Sequence, residues 1–298
     1  MSIFVAALAF GVVTAAILAL AALGFTLQAG MTNVVNLAYG STMTVGAFAA
    51  YAGQTIFHLS LWPAVIFASV AVAVISAAIN RGVLGPFIRR GTKDFQMLVV
   101  TFAIGIILEY MIVAKWGETF YSYRGVSISS RSTIHWGSFE LTNVQVIITL
   151  AAIVLLVSFH ILVRYTRFGR SLRAMADDKE LARACGVNVG RLTDGVWLMS
   201  GALAGLSGAA LAINAGSFDE ILGANFLLVV VAAAILGGAG EPYGAMVGAV
   251  IVSMTMEIST VWIPGSDKEA VALLLLVIMV LVRPQGVVSG RGKWVLAA

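Results

Sequence analysis

Charge is what this sequence lacks most. Only 32 of its 298 residues are Asp, Glu, Lys or Arg, and none precedes Arg81, although an even spread would put eight or nine in that stretch. A soluble domain needs charge on its outer faces, so a water-soluble fold is excluded. Cysteine is nearly absent. Cys185 alone excludes an internal disulfide and a thiolate metal cage. Prolines number five (Pro63, Pro86, Pro242, Pro264, Pro284), all at the ends of apolar segments or between them. An interior proline would remove a backbone hydrogen bond that lipid cannot replace. The N-terminus has neither the basic residues nor the small-residue cleavage site of a secretory signal peptide, so Met1 onward is expected to be mature chain.

Catalytic motifs are missing too. His58, His135 and His160 are scattered without HExxH, and there is no GxSxG, GxGxxG or GxxxxGK[ST]. An intramembrane enzyme would have to be built from Glu109, Glu257 and isolated hydroxyls. Any energised work must draw on a partner or a gradient.

What is present is apolar: 60% of the residues are hydrophobic. Nine segments stand out, at Val5 to Leu27, Ser41 to His58, Trp62 to Ala78, Phe95 to Trp116, Val144 to Val163, Leu192 to Ile213, Ile221 to Ala239, Ala245 to Trp262 and Ala270 to Val282. A span takes about 20 residues, so eight or nine spans occupy most of the chain. The runs are continuous and far longer than barrel strands. The expectation is an all-α, polytopic membrane protein with about 8–9 transmembrane helices, forming one domain over residues 1–298. Trp62, Trp116 and Trp262 mark segment ends, where an indole finds the headgroup layer.

Lys and Arg counts set the expected orientation. Arg81 to Lys93 holds four, Arg164 to Arg191 seven and the tail from Arg283 three, which makes these segments cytoplasmic. The loop 117–143 balances Arg124 and Arg131 with Glu118 and Glu140 and faces outward. Strict alternation then puts the N-terminus outside and the C-terminus in the cytoplasm. A re-entrant break at Gln28 to Tyr39, in place of a cytoplasmic turn, would change that parity. Gly201 and Gly205, and the ladder Gly240, Gly244 and Gly248, have the spacing of close helix contacts.

Three features could carry function. In the loop 164–191, the basic half suits an anionic leaflet, and Asp177 to Cys185 reads as a short helix. Its acids lie in the first turn, Gly186 is a terminator, and Leu181, Ala184 and Cys185 share a face. That face either docks a partner or belongs to a solvated connector. Next, Asn33, Asn36, Tyr39, Gly40, Ser41, Thr42 and Thr44 form a polar, uncharged run, suited to a substrate path or to a polar turn at the membrane surface. Last, Glu109 and Glu257 are ionisable residues inside spans. Glu109 lies within two turns of Trp116, close enough to snorkel toward headgroups.

Four ordered blocks give a resemblance. NVVNLAYGSTMTVGAFAAY at Asn33 to Tyr51, TRFGRSLRAMADDKELARACGVNV in the long loop, ILGGAGEPYGAMVGAVIV at Ile235 to Val252 and LVRPQGVVSG at Leu281 to Gly290 resemble permease subunits of the branched-chain amino-acid ABC importers. The first block is more similar to the H-type than to the M-type subunit. Glu180, Ala182 and Gly186 match the Glu-Ala-Ala-x-x-x-Gly pattern that such permeases present to their ATPases, with Leu181 in place of the first Ala. The resemblance thus implies a coupling helix that includes Asp177, Asp178, Glu180, Leu181, Ala182, Ala184, Cys185 and Gly186. It implies an inner-membrane transport subunit, not an enzyme, paired with a second permease (a paralogue or itself). Two ATP-binding cassette subunits would hold ATP and Mg, a periplasmic solute-binding protein would deliver the solute, and this chain would bind no cofactor and no nucleic acid. Where many relatives have His-Gly-Glu, this chain has Tyr39, Gly40 and Ser41. The solute is therefore left between a branched-chain or other hydrophobic amino acid and urea or a short amide. A gradient-driven transporter or facilitator is the alternative from another class.

Overall fold

In a computed structural model the described residues are 2–32, 35–124, 133–136, 139–238, 240–282 and 286–287. All nine apolar segments are helices: α1 (Ser2–Thr32), α2 (Ala38–Thr55), α3 (Leu61–Ile79), α5 (Asp94–Trp116), α6 (Asn143–Tyr165), α9 (Val189–Ala215), α10 (Leu222–Gly237), α11 (Pro242–Ser259) and α12 (Lys268–Val282). Three short helices join them: α4 (Gly85–Arg89), α7 (Arg167–Asp177) and α8 (Lys179–Ala184). The only strands among the described residues, β1 (Thr133–Trp136) and β2 (Phe139–Thr142), make an antiparallel hairpin in the loop 117–143. The chain is thus an all-α, polytopic membrane protein.

Among the described residues, five helices are long and apolar enough to cross a membrane alone, or up to six if α10 and α11 are one bent span. Length and polarity explain the shortfall against nine, since α2 carries Ser41, Thr42, Thr44 and Gln54 among its 18 residues. At 1.5 Å per residue, the 16 residues of α10 and the 15 of α12 reach only about 22–24 Å, less than a hydrocarbon core of about 30 Å. The axes of α10 and α11 differ by 118° across their break.

Burial ranks the spans. The windows of α1 and α9 are 78% and 72% buried, while those of α5 and α6 are 28% and 22% buried. So α1 and α9 form the centre, and α3, α5 and α6 turn apolar faces outward, through residues such as Val70, Ile107 and Leu150. Close approach depends on glycine. At Gly201 and Gly205 of α9 a Cβ would meet α3 at Ser76 and Ala68, and at Gly248 it would meet α10. The first rung of the expected ladder differs, because Gly240 lies in the turn before α11 with φ +87°.

The ends of the bundle are distinct. The hairpin strand β2 packs against α1 and α6. Next to it, Tyr123 donates to the Ala47 carbonyl (2.8 Å) and Gln145 to Asn214 (3.1 Å). At the opposite end, Leu23 and Leu27 of α1 pack with Leu172 and Met175 of α7 and Ala182 of α8. Helix α1 therefore runs from the hairpin end to the α7–α8 end. It stays helical to Thr32, so Gln28 belongs to a helix and not to a break. Helix α2 returns to the hairpin end, where Gln54 donates to the Arg124 carbonyl.

Candidate functional site

The polar run packs into the core. Asn36 donates to Gln28 (2.7 Å), Gln28 to Ser76 (3.4 Å), and the Asn36 carbonyl oxygen of the side chain accepts from the Ala38 amide (3.1 Å). A chain of neutral amides and a hydroxyl thus ties the start of α2 to α1 and α3. Buried polar groups need such partners. Tyr39 is fully buried and its hydroxyl faces Gly24 and Ser200. Thr42 bonds its own helix at the Tyr39 carbonyl (2.6 Å). Thr44 accepts from the Gly223 amide (3.0 Å), satisfying a donor in the first turn of α10. Gly40 is the contact point of that pair, since a Cβ there would lie 2.5 Å from the Gly223 carbonyl oxygen. Asn33 lies outside the described residues.

Ser41 differs from these neighbours by facing a charge. Its hydroxyl donates to Glu109 Oε1 at 2.9 Å, joining α2 to α5. Helical Cα–Cβ bonds tilt toward the N-terminus, so Glu109 is aimed away from Trp116 and into the span. The snorkelling expectation is replaced by this hydroxyl partner. Glu257 is buried, and its Oε1 accepts from Lys268 (2.8 Å) and Thr14 (2.9 Å), which fastens α11 to α12 and α1. The two intramembrane acids therefore have different surroundings, one with a cation and one without.

The long loop is more helical than the sequence suggested. Asp177 closes α7, and Asp178 is the N-cap of α8, its Oδ1 accepting from the amides of Glu180 (2.9 Å) and Leu181 (3.0 Å). The single helix expected from Asp177 to Cys185 is instead two helices with a cap between them. Gly186 ends α8 at φ +86°, as its position predicted. Ala182 is buried against α7 and α9, whereas Asp177, Asp178, Glu180, Leu181, Ala184, Cys185 and Gly186 are all exposed. Leu181 is 62% exposed, with Ala184 and Cys185 in helical register beside it.

One polar contact between distant helices had no sequence signal. Asp194 of α9 accepts from Asn80 (3.0 Å) and Arg81 (2.9 Å), which lie in the π-helical turn Asn80–Leu84 between α3 and α4. The first charge in the chain is thus spoken for by a residue more than a hundred positions later. An open groove of about 420 Å³ lies at the N-terminal end of α5, lined by Phe87, Arg90, Thr92, Phe95, Gln96, Val99 and Val100, apart from the polar run. No group of three or more His, Cys, Asp or Glu suited to a metal occurs among the described residues.

Helices of this length and apolarity, packed through glycines, define a polytopic helical membrane protein by class. The chain belongs to the family described as the branched-chain amino acid transport system permease component, whose model matches residues 7–282. It is 26% identical to the high-affinity branched-chain amino acid transport permease LivH of Salmonella typhimurium, covering 94% of this chain and 93% of the relative. The probable LivH of Methanocaldococcus jannaschii is 28% identical over 91% of this chain and 88% of its own. The ribose import permease RbsC of Haemophilus influenzae is 25% identical over 75% and 69%. No solved structure matches.

Proposed function

We propose that this chain is the transmembrane permease subunit of an ATP-driven importer that carries a branched-chain or other hydrophobic amino acid from periplasm to cytoplasm. The observation that carries this reading is α8. Its cap at Asp178 and its terminator at Gly186 hold six residues in a helix too short to be stable by itself. Leu181, Ala184 and Cys185 project from it, exposed, with no apolar neighbour among the described residues to cover them. An exposed, preformed apolar face at a loop is a docking surface, and a separate ATPase is the partner that the family reading supplies. Asp177 to Gly186 would transmit ATP-driven closure to the spans, with ATP and Mg held by that partner.

The same reading treats residues 1–298 as one permease domain in the bacterial inner membrane. A second permease, a paralogue or another copy, completes the pore, and a periplasmic solute-binding protein feeds it. The segment from Asn33 through Asn36, Tyr39, Gly40, Ser41, Thr42 and Thr44 is the proposed lining. In support of an outside N-terminus, α1 begins at the end that carries β2 and finishes beside α7, where the Arg-rich loop lies.

The test is affinity purification in mild detergent, followed by transport in proteoliposomes. A co-purifying ATPase with a phosphate loop, and uptake of leucine that needs ATP, are the expected results. Uptake driven by an ion gradient alone, with Leu181→Asp inert, would replace this reading with a secondary transporter. Uptake restricted to urea or short amides would keep the importer and change its solute.

A further inference from the structure

Three carboxylates lie past the first turn of the long apolar helices among the described residues: Asp194 in α9, Glu257 in α11 and Glu109 in α5. Asp194 has Arg81 at 2.7 Å, and Glu257 has Lys268 at 2.8 Å. Glu109 has no cation among the described residues. Its single hydrogen bond comes from the neutral Ser41 hydroxyl to Oε1, and Oε2 is uncommitted among the described residues.

An uncompensated carboxylate is costly at this depth. Glu109 lies seven residues before Trp116, about 10 Å along the helix from that end, and its side chain is aimed further inward. Ser41 holds it in place, since Gly105 one turn earlier brings α2 so near that a Cβ there would lie 3.0 Å from the Ser41 hydroxyl. The carboxylate is half-buried and borders the outward face of α5 formed by Phe102, Ile106 and Tyr110. It is thus not sealed inside the core.

We propose that Glu109, oriented by Ser41, receives the ammonium group of an amino-acid solute as it passes. A primary ammonium brings the missing charge and three N–H donors. Val45, one turn after Ser41, and Ile106, one turn before Glu109, are apolar positions in helical register with the pair, suited to the rest of such a solute. Urea and short amides carry no cation, so the same group favours a zwitterion over them. This assignment rests on the importer reading and names the solute class at its proposed lining.

Glu109→Gln tests it, because the amide keeps an oxygen for Ser41 and removes only the charge. In proteoliposomes containing the assembled transporter, leucine uptake is expected to fall by roughly tenfold or more. ATP hydrolysis stimulated by the loaded binding protein should persist. The exchange Ser41→Glu with Glu109→Ser returns a carboxylate to the other side of the same contact and is expected to restore uptake. Wild-type uptake by Glu109→Gln overturns the proposal. So does a failure of insertion that the exchange leaves unrepaired, which would make the pair a packing contact. ATP-independent leucine uptake by the wild type overturns the importer reading alone and leaves the Glu109→Gln comparison intact. A wild type that carries only amides overturns the ammonium site while sparing ATP-driven import.

Discussion

The Lys268 ammonium lies 2.8 Å from Glu257 Oε1, and the Thr14 hydroxyl reaches the same oxygen at 2.9 Å. One buried carboxylate oxygen therefore joins the first helix of the chain to its last two. Removing only the cation, by Lys268→Met, should cost about 3–5 kcal/mol, because it strands a buried charge. Removing both, with Glu257→Met and Lys268→Met, should recover most of that loss. Apparent unfolding midpoints in detergent, read from tryptophan fluorescence, check the order: wild type and double variant close together, Lys268→Met well below.

Leu181 and Ala182 are adjacent, yet they face opposite ways, the first 62% exposed and the second 4%. Leu181→Asp should leave insertion and thermal stability within about 0.5 kcal/mol of wild type, as for an open surface site. It should remove at least nine-tenths of the co-purifying ATPase. Ala182→Leu should do the reverse, lowering the unfolding midpoint through overpacking of about 1–3 kcal/mol. Gel filtration with and without the partner separates the two outcomes.

Gly40 and Gly223 meet backbone to backbone, with the Thr44 hydroxyl closing the contact on the Gly223 amide. Gly40→Val has no room to relax, since the atoms it would strike are main chain. A loss of more than 2 kcal/mol, or failure to yield monodisperse protein, is expected. Thr44→Val should be milder, at about 1–2 kcal/mol for an unsatisfied amide.

Cys185 is exposed and is the single cysteine of the sequence. In protein produced without its ATPase, which would otherwise cover this face, a membrane-impermeant maleimide should label it in inverted vesicles and spare it in intact spheroplasts. Ser2→Cys in a Cys185→Ser background should label in the opposite pattern. Labelling of both from one side would refute the proposed sidedness.

The helices were legible because lipid imposes one rule: backbone polar groups must pair within the segment. That rule made all nine apolar runs helical, including α2, whose polar residues weaken its hydropathy. Lengths were harder to read. Val5 to Leu27 grew to Ser2–Thr32 since Gln28, polar by type, keeps its helix by bonding Ser76. The loop 164–191 split at Asp178 because a carboxylate that caps one helix must leave the preceding one. Of the candidate site, α8 could be read from Asp178 and Gly186, both of which act locally. The pairings Ser41 with Glu109, Gly40 with Gly223 and Asp194 with Arg81 could not, because each joins residues separated by more than sixty positions and depends on which helices become neighbours.

Helix α8 has one more consequence. Its single inward residue, Ala182, shares a cluster with Val189 and Leu192 at the start of α9, the helix that contacts α1, α2 and α3. Force applied to α8 would therefore meet two neighbours, α7 and the start of α9, across the width of one methyl group.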